Sequence, residues 1–311
     1  MKFYQVIFVV AGLLVTGCKD RDKSGNILDT TTSGSITIAV DESLKPLIQA
    51  EVEAFEGVYR EAHIKAIYTS ESDAINLMLQ DSARLAIVTR KLTADEQAEL
   101  DKVKIPGRQM KVAKDGIALI LHTENTDREL ELNQLQQIME GKISRWNQIS
   151  KASPSDPIEV VFDHPNSGIL RYLRDTLANI TTIPPNFFAV NNNEAVIDYV
   201  SKKKNAIGLI GVGWVSDAED STANSFLKTI HVAAISRDSG FYQPYQAYIA
   251  QKIYPLTRNV VIISREARSG LGSGFLTYIA SDKGQRVVLK AGLVPVTMPV
   301  RIVEIRYDEA Q

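Results

Sequence analysis

The sequence is poor in the residues that usually advertise chemistry. Among 311 residues there is one cysteine, Cys18, so neither a disulfide framework nor a thiolate metal site can form within the chain. The four histidines, His63, His122, His164 and His231, are scattered, with no i, i+4 pair and no HExxH, which argues against zinc; no metal and no cofactor is expected. Charge of neither sign is in surplus: 35 Lys and Arg face 37 Asp and Glu, a formal net charge of −2. No basic stretch interleaves with aromatics, so nucleic acid is not an expected partner. The densest basic run, Lys202-Lys203-Lys204, reads as a solvated helix end where cations suit the helix dipole. Beyond residue 18 no apolar run is long enough to span a bilayer, and no internal period suggests a repeat array.

Enzyme signatures are equally thin. The glycines of GLIGVG (208–213) lie inside a strand-like run and open no helix, so they do not make a dinucleotide site. Asp163, His164 and Ser167 are close in sequence, but adjacent residues at a strand end point to opposite faces and no G-x-S-x-G elbow surrounds the serine. No catalytic residue is expected.

What is present begins at the N-terminus. Lys2 precedes an apolar run from Phe3 to Val15 that closes in Leu14-Val15-Thr16-Gly17-Cys18. The run is too short for a membrane span and has the layout of a secretory leader. Its last four residues resemble a bacterial lipobox, in which the cysteine is lipidated and becomes the first residue of the mature chain. Residues 1–17 are therefore expected to be a signal peptide. Residues 18–35, charged and then rich in Ser, Thr and Gly, read as a lipidated cysteine and flexible stalk. Folding is expected to start near Ile36.

The remainder is of ordinary globular composition, 44% hydrophobic and 23% charged, and long enough for about two domains. Strand-like ITIAV (36–40), HIKAIY (63–68) and RLAIVT (84–89) alternate with helical SLKPLIQAEVEAFEGVY and SDAINLMLQD, the second with Ser72 as its N-cap. This βαβαβ order predicts a parallel sheet with helices on both faces. A long strand at 108–122 follows, then helix LNQLQQIMEG, strand IEVVFD (158–163), helices from about Ser167 to Asn179 and Asn193 to Lys203, and strand AIGLIGVGWV. Strands near 228–235 and 259–264, a helix or helix pair at 274–292 and a closing strand VRIVEIR complete the chain. The crossing points between two α/β units fall near 112–118 and 250–258.

Polar turns recur where strands hand over to helices: Asp41-Glu42-Ser43, Thr69-Ser70-Glu71-Ser72, Thr89-Arg90-Lys91 and Asn166-Ser167-Gly168. Each alone reads as a helix cap, for which Ser, Thr and Asp are the usual choices. In an open α/β sheet such turns gather at the carboxyl ends of the strands, where these folds bind ligands, and four together point to an anion-binding cleft.

Several segments, in this order, resemble phosphate-type ABC-transporter binding proteins: VAKDGIALILHTEN with LNQLQQIMEGKISRWNQI (within 112–149), NNNEAVIDYVSKKKNAIGLIGVGWV (191–215), YPLTRNVVII (254–263) and GFLTYIASDKGQRVVLKAGLVPV (274–296). The resemblance spans about Ile36 to Val296. It implies a two-lobe type II periplasmic-binding-protein fold, each lobe a mixed α/β sheet flanked by helices, joined by a two-stranded hinge. Lobe 1 would take 36–114 and 256–311, and lobe 2 residues 115–255. The implied function is capture of phosphate or a similar oxyanion between the lobes for an ABC importer permease, by an exported monomer held at the cell envelope by its lipid alone.

The ligand positions it implies are Ser43 and Leu44 in the first loop, Ser70 and Ser72 in the second, Thr89 and Arg90 in the third, and Asn166, Ser167 and Gly168 in lobe 2. There the family pattern of Arg, two residues, then Gly-Ser-Gly-Thr falls on Asp163, His164-Pro165 and Asn166-Ser167-Gly168-Ile169. An arginine has become aspartate and a threonine isoleucine, and Thr89 stands where the family has an acceptor aspartate. Arg171 or Arg90 is left to supply the positive charge. These departures also fit a different expectation, a sensor or surface lipoprotein that kept the fold and lost phosphate affinity.

Overall fold

The computed structural model describes residues 29–178, 182–216, 221–238 and 240–300; the leader, Cys18 and residues 301–306 of the expected closing strand lie outside them. The chain enters through β1 (Gly34–Asp41), a 3-10 turn (Glu42–Leu44), α1 (Lys45–Val58), β2 (Ala62–Thr69), α2 (Glu71–Leu79), β3 (Leu85–Val88), α3 (Ala94–Lys102) and the fifteen-residue β4 (Arg108–His122). The second lobe holds β5 (Glu129–Glu131), α4 (Leu132–Met139), β6 (Glu159–Phe162), α5 (Gly168–Leu173), β7 (Phe187–Ala189), α6 (Asn193–Lys202) and β8 (Ala206–Gly211), then α7 (Ser221–Phe226), β9 (Ile230–Val232), β10 (Ala234–Ser236) and α8 (Gln246–Ala250). The chain then returns through β11 (Thr257–Ser264), α9 (Leu271–Ala280), α10 (Asp282–Lys290) and β12 (Val294–Pro295).

The period of two in the first strands places alternate residues on opposite faces, and helices cover both. Ile36, Ile38 and Val40 of β1, with Leu85 and Ile87 of β3, pack against Leu47, Ile48 and Phe55 of α1. Ala39, Ala86 and Val88 face the other way, onto Ala74, Ile75 and Met78 of α2 and Leu100 of α3. The strand order is β2-β1-β3-β11-β4-β8-β6-β7, with β9 and β12 also on β4, while β5 and β10 form a separate pair. β1 runs parallel to β2 and β3, and β6 parallel to β7 and β8.

β4 connects the lobes. Its first part, Arg108 to Gly116, pairs antiparallel with β11; its second, Ile117 to Leu121, pairs with β8. One strand thus belongs to the sheets of both lobes, and β11 lies beside it at the crossing.

Two expectations are corrected. The N-cap of α2 is Ser70, not Ser72: its hydroxyl accepts from the Asp73 N–H, so the helix opens two residues earlier and Glu71 becomes its first residue. The stalk expected to run to residue 35 ends sooner, because Asp29 binds Arg268 at 2.5 Å and accepts the Leu271 N–H at the start of α9. A carboxylate anchor, invisible to a search for apolar residues, orders the chain from there.

The buried face of α1, Leu47, Ile48, Glu51 and Phe55, carries a misfit. Phe55 stacks edge-on against Phe275 and Tyr278, and Glu51 is 0% exposed with neither oxygen hydrogen-bonded. Burial pushes its carboxyl up to about 9 from an ordinary 4.5, so it stays protonated at neutral pH. A folded-state proton held more tightly than in the unfolded chain makes stability fall as pH rises from 4.5 toward 9, by up to about 1.4 kcal/mol per unit. Glu51→Leu should be the more stable protein at pH 8, by roughly 1–3 kcal/mol. Thermal melts at pH 5 and pH 8 check this: the gap between wild type and variant should widen at pH 8, and an unchanged gap would refute it.

Candidate functional site

Five strand ends and the two crossing strands deliver polar side chains to one place between the lobes. From lobe 1 come Asp41, Glu42 and Ser43 after β1, Ser70 and Glu71 after β2, and Thr89 after β3. Lobe 2 supplies Asp163, Ser167 and Gly168 after β6 and Asn193 at the start of α6. Asp115 and Arg258 rise from β4 and β11, where they are direct cross-strand partners. All of these are buried.

Each group is positioned by a local hydrogen bond. Asp41 accepts the Ser43 N–H at 3.0 Å and its hydroxyl at 2.7 Å, closing the turn that precedes α1. Ser167 caps α5 by accepting the Ile169 N–H at 3.1 Å. Arg258 grips Asp115 through Nε and Nη2, both at 2.8 Å, and donates to Ser43 Oγ at 2.7 Å. Glycine allows the lobes to meet. A Cβ at Gly211 would lie 2.5 Å from the Ser43 carbonyl oxygen, and one at Gly168 would meet Glu71 Oε1 at 3.0 Å and Thr89 Oγ1 at 3.1 Å, with Asp41 Oδ2 closer still.

The central interaction spans the lobes. Glu71 Oε1 accepts the Thr89 N–H at 2.9 Å and the Thr89 hydroxyl at 2.5 Å, and takes an Arg171 Nη2 bond at 3.3 Å. Its Oε2 accepts from Arg171 Nε, and Arg90 Nε lies 3.6 Å away. Arg171 also donates to Thr89 Oγ1 at 3.2 Å. Further contacts join the lobes: among them, the Asn193 backbone N–H and side-chain amide donate to Glu42, and Lys45 pairs with Glu194 at 3.2 Å. The last is at the exposed rim and contributes at most about 1 kcal/mol.

Acids dominate the electrostatics: Asp41, Glu42, Glu71, Asp115 and Asp163 against Arg258, Arg171 and Arg90. Burial, opposed by Arg258 and reinforced by Glu71 and Asp163, pushes Asp41 up to about 7. Burial and the charge of Glu42 push Asp163 up to about 6, against the Ser167 hydroxyl. Asp41 Oδ2 and Asp163 Oδ1 have no protein donor. Glu71 differs. Burial works against its charge too, but Arg171 and Thr89 outweigh it and hold the carboxyl below its usual 4.5. Arg258 stays charged because Asp115, Asp41 and Glu71 offset its burial. Among the described residues no group of three His, Cys, Asp or Glu is placed to hold a metal ion.

Of the residues expected from the sequence, Ser43, Leu44, Ser70, Thr89, Ser167 and Gly168 are buried at these strand ends, and Arg171 reaches across from lobe 2 with 23% of its side chain exposed. Ser70 serves as a helix cap and bonds Asp73. Ser72 is half-buried, and Asn166 is exposed, its N–H donating to His164 Nδ1 at 3.1 Å. Arg90 is engaged elsewhere, its two terminal nitrogens each 2.6 Å from Glu96 of α3. Asp115, Arg258 and Asn193 were missed. A lone acid inside VAKDGIALILH and a lone arginine inside LTRNVVII were the available signal, since a charge in a buried strand requires a partner. Glu71 was seen only as part of a cap.

The profile of the PBP superfamily domain matches residues 28–283. The chain belongs to the PBP superfamily. Among its relatives are the phosphate-binding protein PstS of Pseudomonas aeruginosa, 23% identical over 88% of this chain and 85% of that one, and PstS of Staphylococcus epidermidis, 22% identical over 92% and 87%. Of solved structures, a candidate phosphate ABC transporter substrate-binding protein from Clostridium perfringens with bound phosphate superposes with a TM-score of 0.73 at 23% identity, covering 85% of this chain and all of that one. An ABC-type phosphate transport receptor from Vibrio cholerae gives 0.62 at 20% identity, over 85% and 100%. The fold is the mixed α/β, type II binding-protein fold. These relatives are described as binding proteins rather than enzymes.

The acid cluster couples lobe contact to protons. Separating the lobes should hydrate Asp41 and Asp163 and return them toward 3.8, so that closure takes up protons and weakens as pH rises from about 4 to about 7. The radius of gyration from solution scattering should increase between pH 5 and pH 8, and Asp41→Asn should reduce that increase. A profile independent of pH would refute the coupling.

Proposed function

We propose that this protein is an extracytoplasmic solute-binding protein that captures phosphate, or a similar oxyanion, between its lobes for an ABC importer, and that it is tethered to the membrane through a lipid on Cys18. The observation that carries the reading is the convergence of Arg171, the Thr89 N–H and hydroxyl and Ser43 at the strand ends between the lobes, in a chain similar over most of its length to phosphate-binding proteins. The domain assignment and the ligand set Ser43, Leu44, Ser70, Ser72, Thr89, Arg90, Asn166, Ser167, Gly168 and Arg171 are part of this proposal. Its strongest members are Thr89 and Arg171, the pair that already surrounds a carboxylate. A few charge-assisted hydrogen bonds of about 1.5–3 kcal/mol each bring the gross interaction to the range of micromolar binding, near −8 kcal/mol; ordering costs lower the net, so the buried serine hydroxyls and an arginine are needed too.

Acidity does not by itself exclude an anion. A carboxyl whose proton is held up to about pH 7, as at Asp41, or about pH 6, as at Asp163, presents an O–H donor to an oxyanion below that pH. A second reading, a sensor or surface lipoprotein of the same fold without phosphate affinity, is favoured by Asp163, buried where the resemblance implies an arginine.

Isothermal calorimetry separates the two. Phosphate and sulfate should both bind more tightly at pH 5.5 than at pH 8; sulfate, whose charge is constant across this range, reports the protein's own protons. Arg171→Ala should weaken either by about tenfold or more, equivalent to ~1.4 kcal/mol. No heat with phosphate, sulfate, molybdate or phosphonate would sink the transport reading and leave the sensor. The anchor has its own test: in the native host Cys18→Ser should move the protein from the membrane to the soluble fraction, and unchanged membrane association would rule out the lipid.

A further inference from the structure

We propose that Glu71 is a built-in anion: its carboxylate takes the donors that a solute oxyanion would use, so that the lobes close on the protein's own side chain and a free oxyanion binds only by displacing it. The inference rests on the reading of the cleft as an oxyanion site and goes beyond it by naming what already competes for that site.

Four observations lead to it. The first is the identity of the donors. Glu71 takes one backbone N–H, one hydroxyl and a guanidinium, the mixture that recognises a small oxyanion, and Thr89 and Arg171 belong to the ligand set inferred from the sequence alone. The second is that the donors come from both lobes. Thr89 lies on the Glu71 side, after β3, whereas Arg171 lies on α5 in lobe 2, so the contact is the kind of bridge by which a bound solute holds such lobes together. Third, the carboxylate is ionised and 1% exposed, with Arg171 and Thr89 outweighing the cost of burial. It is a charge held in place by the site, in contrast to Asp41 and Asp163 beside it. The fourth observation is spatial. Even a single Cβ added at Gly168 would meet Glu71 Oε1 at 3.0 Å and Thr89 Oγ1 at 3.1 Å, with Asp41 Oδ2 closer still, so the space between these groups is too small for a tetrahedral oxyanion unless Glu71 swings out.

The consequences follow from tethering. A carboxylate on the first residue of α2 competes at an effective concentration of millimolar order or above, and the apparent affinity for a free anion falls by the fraction of molecules in which Glu71 has left. Once displaced, Glu71 keeps its negative charge beside the incoming anion, whatever the protonation of Asp41 and Asp163. The site should therefore prefer a singly charged, protonated oxyanion to a dianion.

The test uses the mature chain at pH 6, where Glu71 is ionised, and reads scattering and phosphate calorimetry on wild type, Glu71→Ser and the isosteric Glu71→Gln, with circular dichroism to confirm folding. Expected is a wild type whose radius of gyration does not change on adding phosphate, and variants that are larger without phosphate, contract with it and bind it at least about tenfold more tightly, equivalent to ~1.4 kcal/mol. Variants that expand but, like the wild type, bind no phosphate would support Glu71 as the closing contact while overturning the phosphate reading. The proposal is overturned by variants as compact as the wild type, or by a wild type that binds phosphate as tightly as the variants or more so. Should Glu71→Ser fail to fold, Glu71→Gln, which keeps the shape and removes the charge, decides the same comparison.

Discussion

The Arg258–Asp115 pair is the interaction on which the rest of the cleft depends. It sits on the two strands that run between the lobes, in direct cross-strand register, with both side chains about 1% exposed. A buried charge without a partner costs several kcal/mol, and removing one member of such a pair costs about 3–5 kcal/mol. Asp115 does not take up the whole of that positive charge, because Asp41 and Glu71 also lie within reach of the guanidinium's field. Arg258 therefore makes it possible to gather acids at the strand ends at all. By donating to Ser43 Oγ it also ties the crossing strands to the first turn of the site. Closure, capping and charge balance meet at one guanidinium.

Around that fixed cation the charges of the site are arranged differently from what the resemblance implies. The implied second-lobe arginine is aspartate at 163, and the implied acceptor aspartate is Thr89. Viewed singly these are losses. The structure supplies an acid and a base two short steps away, Glu71 one residue past the Ser70 cap and Arg171 one turn into α5, and these two bond each other across the lobes. A pair that would face a solute from two sides has become a pair that faces itself. Arg171 and Glu71 cancel each other as the implied arginine and aspartate would, and Asp163 is left as an additional acid.

The architecture was legible because it depends on periodicity. Short β-type runs such as ITIAV and RLAIVT, alternating with helical runs, give the βαβαβ start, and the fifteen-residue strand at 108–122 reaches from one lobe into the other. Local capping was less legible. Ser70 and Ser72 are both acceptable N-caps by composition, and only the fold decides that Ser70 accepts from Asp73, which in turn points Glu71 at Thr89. The site's cross-chain partners could not be read at all. Glu71 and Arg171 are 100 residues apart, and Asp115 and Arg258 are 143 apart, so no spacing rule relates them. Asp29 was missed for a related reason: its role is to bind Arg268 and a helix start 242 residues later, and a stretch with little apolar surface looks like stalk whether or not it is anchored.

A binding protein that reports solute by closing needs its closed form to be favoured only when solute is present, since a ligand shifts an equilibrium by no more than its differential affinity for the two states. A tethered carboxylate reduces that difference, because it stabilises the closed form in advance through the same donors. The acids around it act in the opposite direction as pH rises, through the repulsion of Asp41, Asp163 and Glu42. The balance of these two terms, one set by covalent attachment and the other by proton activity, fixes how much of the closed population is left for a solute to control. A membrane partner that recognises the closed lobes would then respond to protons as well as to anions, and on the proposal above Glu71 would set the proportion.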